Sequence, residues 1–301
     1  MRAVWSFWSK PFRAHYAPVW GTPRNHALAW VASVQSAARH YPDTMLVTDS
    51  AGARMLVDRL GLRFSEVSTC LDRLHGHDPG WWVLGKLVAY GMQTDPFVHL
   101  DNDVFLWKRL PAYLESAPVL AQHPEVYNPD QEIYRPAEVE RTFAETGGIL
   151  PVEWLWARAQ QEALTAENCG IVGGCNVGFM RHFAETALQL IERPENATGW
   201  RRHPDKWQFV YIVEQFLLSA CLGYHRFHPG SAYKGVRAEY LFRSWDEARD
   251  PREAEKRGFT HLMAYSKRAP EIMRRLAERV RKDWPEFFWR CERQHDWMPG
   301  N

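Results

Sequence analysis

Phe97-Val98-His99-Leu100-Asp101-Asn102-Asp103-Val104-Phe105-Leu106 is the stretch on which the fold is read. Its apolar run predicts a buried strand, and two acids one residue apart stand where that strand ends. Side chains at i and i+2 of a strand share a face. Where the chain begins to turn, Asp101 and Asp103 can therefore aim at one point. Two carboxylates that close repel unless a cation or proton lies between them. Oxygen ligands suit Mg²⁺ or Mn²⁺, ions that keep several waters and recruit substrate phosphates. The pattern points to a metal-phosphate site at the carboxyl edge of a sheet, where open α/β folds bind ligands. The same residues also describe a strand-end turn carrying two solvated acids.

Working outward, the 301 residues are enough for one large α/β domain. With 46% hydrophobic and 24% charged residues the chain is globular, and a net charge of +1 gives no reason to expect nucleic acid or an anionic membrane as partner. No stretch approaches the roughly 20 apolar residues of a membrane span. Met1 to Trp8 carries no signal-peptide apolar region or cleavage site, so a cytoplasmic location is expected. Five cysteines, an odd number without close metal-type pairs, fit reduced thiols. Fifteen tryptophans supply core bulk, and their flat faces also suit sugar rings.

Ala3 to Phe7 reads as a first strand and Lys10 to Pro23 as an ordered loop. Asn25 is expected to cap a helix through His40 that carries Ala27, Trp30, Val31 and Val34 on its apolar stripe. Met45 to Thr48 (strand), Asp49 to Leu60 (helix) and Arg63 to Ser68 (strand) continue an alternation that argues for a doubly wound, mostly parallel sheet flanked by helices. Trp81 to Gln93 reads as a helix leading into the acidic strand; its Lys86 either snorkels to the surface or reaches substrate phosphates. Glu125 to Leu150 has no clean period and reads as an irregular, substrate-facing insertion. Asn168-Cys169-Gly170-Ile171-Val172-Gly173-Gly174 places glycines around a short strand, either for close approach of a ligand or for tight packing. Arg193 to Asp205 reads as a polar loop. Glu214 and Gln215 interrupt an apolar helix from Trp207 to Cys221; such groups either face solvent or point into a site, and the mostly apolar circumference favours the site. A charged helix over Asp246 to Gly258, a strand from Phe259 to Met263, a closing helix from Arg268 to Lys282 and an aromatic tail through Trp297 complete the chain.

Together these pieces resemble a GT-A-fold glycosyltransferase, closest to the family-eight type of retaining sugar transferases. They are similar also to uncharacterised bacterial proteins that open on the same Trp-Ser-Phe-Trp run. Lys86 followed by Asp101-Asn102-Asp103 resembles that family's basic residue and Asp-X-Asp motif. Asn168-Cys169-Gly170 resembles its Asn-(Ser/Ala)-Gly strand, and Glu214-Gln215 its Asp-Gln pair. His261, followed six residues later by Lys267, resembles its His-X-X-Gly-X-X-Lys ending, with Ala264 in place of the glycine and Arg268 in place of the usual proline. The resemblance implies a single GT-A-like domain over 1–301, with a nucleotide-binding half (1–106), a sugar and acceptor half (107–267) and a helical tail (268–301). It implies that Asp101, Asp103 and His261 hold Mn²⁺ or Mg²⁺, and that Lys86 and Lys267 contact the diphosphate of a nucleotide-sugar, by family default a UDP-sugar. Asn168 and Gly170 then border the donor sugar, and Glu214 and Gln215 are the catalytic pair of a transfer with retention. Two other readings stay open: a phosphatase of the Asp-X-Asp-X-Val type, which needs a downstream acidic pair that the chain does not offer, and a catalytically silent sugar-nucleotide-binding protein.

Overall fold

The computed structural model describes residues 1–127, 134–160 and 164–293, with residues 15–18 as backbone only. Among them the strands are β1 (Arg2–Phe7), β2 (Thr44–Thr48), β3 (Glu66–Ser68), β4 (Phe97–Leu100), β5 (Val104–Leu106), β6 (Val119–Ala121), β7 (Pro124–Tyr127), β8 (Leu164–Glu167), β9 (Ile171–Gly174), β10 (Ala238–Tyr240) and β11 (Phe259–His261). The fold is mixed α/β, its central strands mostly parallel and flanked by helices, as expected. The chain forms two compact units. One comprises Met1–Pro79, His99–Leu110 and Pro251–Asn301, the other Gly80–Val98 and Pro111–Asp250.

In the first unit β1 pairs in parallel with β2, and β2 with β3. Every residue of β2 is buried, as are Ala3, Val4 and Trp5 of β1. Strands covered on both faces read as continuous apolar runs, which is why both were visible in the sequence. The helix Pro23–Ala38 buries Ala27, Trp30, Val31 and Val34. Its N-cap is Thr22, not Asn25: the Thr22 hydroxyl accepts the Asn25 N–H and Pro23 takes the first helical position, where a missing N–H costs nothing. The loop expected over Lys10 to Pro23 is instead a helix, Ser9–Trp20. Pro11 lies in its first turn, among N–H groups with no intrahelical partner. A second strand pair, β5 with β11, runs antiparallel and sets His261 opposite Val104.

In the second unit β10 pairs in parallel with β6, and β6 antiparallel with β9. The glycines of β9 serve packing. A Cβ on Gly173 would stand 2.1 Å from the Phe97 carbonyl oxygen, and one on Gly174, at φ 136°, 2.3 Å from that of Pro118. β7 and β8 form a separate antiparallel ribbon. Two stretches expected to be irregular are ordered in part. Glu125 to Leu150 contains most of β7 and the helix Pro136–Thr146, which ends on left-handed Gly147; its residues 128–133 lie outside the described ones. Arg193 to Asp205 contains the helix Pro194–Arg201. In both, a proline occupies the first helical turn. Back in the first unit, the charged segment expected as one helix over Asp246 to Gly258 contributes the helix Pro251–Arg257, again opened by proline. The closing helix is Pro270–Asp283, and Trp297 lies outside the described residues. Among the described residues no helix is long and apolar enough to cross a membrane.

Candidate functional site

In the first unit, β4 ends at Leu100 and β5 begins at Val104, so Asp101, Asn102 and Asp103 form the turn between them. The turn is closed by the Val104 N–H on the Asp101 carbonyl (3.0 Å). That carbonyl also accepts the Ser33 hydroxyl (3.2 Å), which accepts the Trp5 indole N–H (2.9 Å). Asp103 is 3% exposed. Its backbone carbonyl accepts the Leu262 N–H (2.9 Å), which extends the β5–β11 ladder and delivers His261 to the carboxylate. His261 Nε2 stands 3.6 Å from Asp103 Oδ1, and Lys267 Nζ 2.5 Å from Oδ2. Ligand atoms of Asp101, Asp103 and His261 all lie within 4.8 Å of one another.

Burial opposes the charge on Asp103, but the Lys267 ammonium and the His261 ring beside it outweigh that and hold the carboxyl far below its usual range. Lys267 also lies over the Trp20 ring (5.5 Å), near His26, whose pKa burial and Lys267 together push down to about 3. Ala264, where the related motif has glycine, takes φ 47° at the start of the turn that returns Lys267. Two carboxylates and an imidazole make a donor set for a divalent ion, and the set fits one. Asp103 Oδ1 is buried with no hydrogen-bond partner among the described residues.

The same unit carries a cavity of about 380 Å³ at the carboxyl ends of β1 and β2. Trp8, Lys10, Arg13, Asp49, Arg54 and Asp72 line it. The sequence reading missed it, because its walls come from separate segments that no motif marks.

The second unit gathers the other expected residues into two groups. Lys86, on the helix Leu84–Gly91, is buried; its Nζ is 2.8 Å from Glu214 Oε1 and donates to the Cys169 carbonyl (3.2 Å). Glu214 has no exposed surface and also accepts the Tyr90 hydroxyl (2.7 Å). The second group centres on Glu125, which composition and spacing did not single out. It accepts Asn168 Nδ2 (2.9 Å), the Tyr134 hydroxyl (3.0 Å) and the Tyr127 hydroxyl. Tyr134 also reaches Gln215 Oε1 (2.5 Å), and Asn168 Oδ1 accepts the Gly170 N–H (3.1 Å). Asn168, Gly170 and Gln215 therefore belong to one buried network, and Lys86 and Glu214 to a sealed ion pair. Next to the network, burial pushes the Glu167 carboxyl up from 4.5 to about 8, with the charge of Glu125 adding to the rise.

A model of a family of unknown function (DUF6734) matches residues 1–293. No curated protein matches the chain. Solved structures similar to it include an active-site mutant of LgtC, at 13% identity over 93% of this chain and 96% of that one, with a TM-score of 0.44. The galactosyltransferase LgtC with donor and acceptor sugar analogues matches at 13% identity over 95% and 100%, TM-score 0.39. Mouse xyloside xylosyltransferase 1 in its apo form matches at 11% over 85% and 92%, TM-score 0.32.

Removing one partner of a buried ion pair strands the other charge, which costs about 3–5 kcal/mol. Lys86→Met is expected to lose that much in urea denaturation, and adding Glu214→Leu to recover most of it. If the double variant is as unstable as the single one, the pair is not the coupled unit described.

Glu167 gives a pH test. Between its unfolded and folded pKa values the unfolded chain is ionised while the folded one keeps the proton. Its contribution is therefore full below about 4.5 and is lost as pH rises through about 8. Glu167→Gln should flatten the fall in stability between about pH 5 and pH 9 by an amount on the order of a few kcal/mol. Parallel melting-temperature profiles for variant and wild type would show that the carboxyl is not raised.

Proposed function

The chain belongs to the DUF6734 family, and we propose for it a metal-dependent transfer of sugar from a nucleotide-diphosphate donor, a UDP-sugar, to an acceptor. The observation that carries this reading is the convergence of Asp101, Asp103 and His261 within 4.8 Å, with Lys267 on Asp103. These three side chains would hold Mn²⁺ or Mg²⁺. When bound, such an ion neutralises the negative charge that develops on a departing diphosphate.

The rest is done by the chain's own residues. Lys267 is a compact point charge already held against one anion, Asp103, and a donor phosphate offers it a second. The cavity at the ends of β1 and β2 has the cations Lys10, Arg13 and Arg54 and the indole of Trp8 on its walls, and it suits a nucleotide. In the second unit, Asn168 and Gln215 provide amides for sugar hydroxyls, and Glu125 with Tyr134 fixes how they point. Lys86 orients Glu214.

We infer retention from the same residues. Inversion requires a general base on the face opposite the leaving group, where it deprotonates the acceptor. Glu214 is sealed by Lys86 and Tyr90, Gln215 is an amide, and Glu125 already accepts from Asn168 and Tyr127.

Calorimetry with UDP and UMP in the presence of Mn²⁺ tests the donor site. Asp103→Asn should abolish metal-dependent UDP binding while the fold is kept. Lys267→Ala should weaken UDP by about 1.5–3 kcal/mol, the scale of a hydrogen bond to a charged group. It should weaken UMP much less, since the outer phosphate is absent. Equal losses for both nucleotides would mean that Lys267 acts only through the fold, and unchanged metal-dependent affinity in Asp103→Asn would remove the metal site.

Stereochemistry is tested separately. NMR of the first-formed product from a UDP-sugar should show the donor's anomeric configuration, and an inverted centre would refute retention.

A further inference from the structure

Three helices of the second unit each turn one ligand-type side chain toward a common point. They are Val152–Gln160 with Glu153, Val177–Glu192 with His182, and Leu217–Phe227 with His225. His182 Nε2 stands 2.8 Å from Glu153 Oε1 and 2.9 Å from His225 Nε2, and His225 Nε2 stands 3.4 Å from the same Glu153 oxygen. Two atoms that each ligate one ion at about 2.1 Å, roughly at right angles to tetrahedral spread, stand about 3.0–3.4 Å apart. The triangle has the dimensions of one face of a metal's coordination shell.

Proton accounting points the same way. His225 Nδ1 lies 2.6 Å from Ser231 Oγ, which also accepts the Tyr233 N–H (2.9 Å). With Nδ1–H donated to that oxygen, the Nε2 lone pair of His225 faces a second imidazole nitrogen and a carboxylate oxygen. A cation at the centre satisfies all three; a single proton satisfies two. The orientation is held from behind, since Tyr233 packs on both imidazoles and its hydroxyl donates to the Gly178 carbonyl (3.0 Å). Outer partners of this kind set the tautomer of metal-ligating histidines. Carboxylate and neutral imidazole are the forms that bind metal.

We propose that Glu153, His182 and His225 form a second divalent-metal site, of two nitrogens and one oxygen, selective for a borderline transition ion such as Zn²⁺ or Co²⁺. Ligands of this mixture favour such ions over Mg²⁺ and Ca²⁺, which prefer oxygen alone. A cavity of about 270 Å³ has Glu153 and His182 on its wall, together with Thr186, Gln189 and Arg193. It admits the ion and leaves coordination positions open to water or an anion. The site is independent of the proposed sugar transfer, because none of its residues belongs to the Asp101 set.

Co²⁺ alone, titrated into the full chain and followed by absorption and bound-metal analysis, tests the site. Asp101→Asn/Asp103→Asn protein should still bind one equivalent, with the visible bands of a nitrogen-ligated ion, and wild type one equivalent more. Adding His182→Ala or Glu153→Gln to the Asn pair should lower the remaining affinity at least 100-fold, and adding Ser231→Ala should lower it about 10- to 100-fold. Zn²⁺ should raise the unfolding temperature of the Asn-pair protein but not of the same protein carrying His182→Ala. Absence of stoichiometric Co²⁺ in the Asn-pair protein, or equal binding with and without His182→Ala, would overturn the proposal. Should the Asn pair fail to fold, the decision falls to wild type against His225→Gln: loss of one equivalent supports the site, and an unchanged stoichiometry overturns it.

Discussion

An ionised carboxylate is costly to bury unless cations or hydrogen-bond donors surround it, and Asp103 is buried. The chain meets this requirement with residues distant in sequence. The short ladder between β5 and β11 sets His261 opposite Val104, the Leu262 N–H continues that ladder onto the Asp103 carbonyl, and the turn through Ala264 brings Lys267 onto the carboxylate. Left-handed backbone at Ala264 is a conformation that a side chain takes at a cost. That cost is offset by the contact the turn delivers. Structural need and proposed chemistry coincide here: the two side chains set against the buried acid are the ones proposed to serve a metal and a donor phosphate.

The second unit solves the same electrostatic problem differently. Lys86 and Glu214 neutralise each other in a fully enclosed pair, with Tyr90 and the Cys169 carbonyl taking further hydrogen bonds. Glu125 accepts hydrogen bonds from Asn168 and Tyr127 and borders the Tyr134 hydroxyl, while burial pushes Glu167 nearby toward its neutral form. Polar networks in a low-dielectric interior are costly when half satisfied and rigid when complete. Such a network orients amides such as Asn168 and Gln215 more firmly than solvated loops could.

Several expectations failed for one reason. The stretches expected to be loops or irregular at 10–23, 125–150 and 193–205 each hold a helix with a proline in its first turn, at Pro11, Pro136 and Pro194. A proline is disruptive in a helix interior and harmless in the first turn, and composition alone does not distinguish the two. The glycines of β9 had two readings, ligand approach and packing. The distances to the carbonyls of Phe97 and Pro118 decide for packing, because no Cβ fits there. Lys86 likewise had a surface reading and a phosphate reading, and its burial against Glu214 excludes the surface one.

The sequence by itself determined the strand-helix alternation, the buried β1 and β2, and the acidic turn after β4, because each is written in local hydrophobic period and residue type. It also marked His261 and Lys267, through a resemblance of spacing. Only the tertiary structure decided which groups meet. Asp103 finds Lys267 through strand pairing, Glu125 finds Asn168 and Tyr134 through the β7–β8 ribbon and its surroundings, and Glu153 finds His182 and His225 through three packed helices. The reason is physical: local pattern fixes which face a side chain takes on its own element, but a charge's partner, and so its protonation and chemistry, is set by whatever element packs against that face.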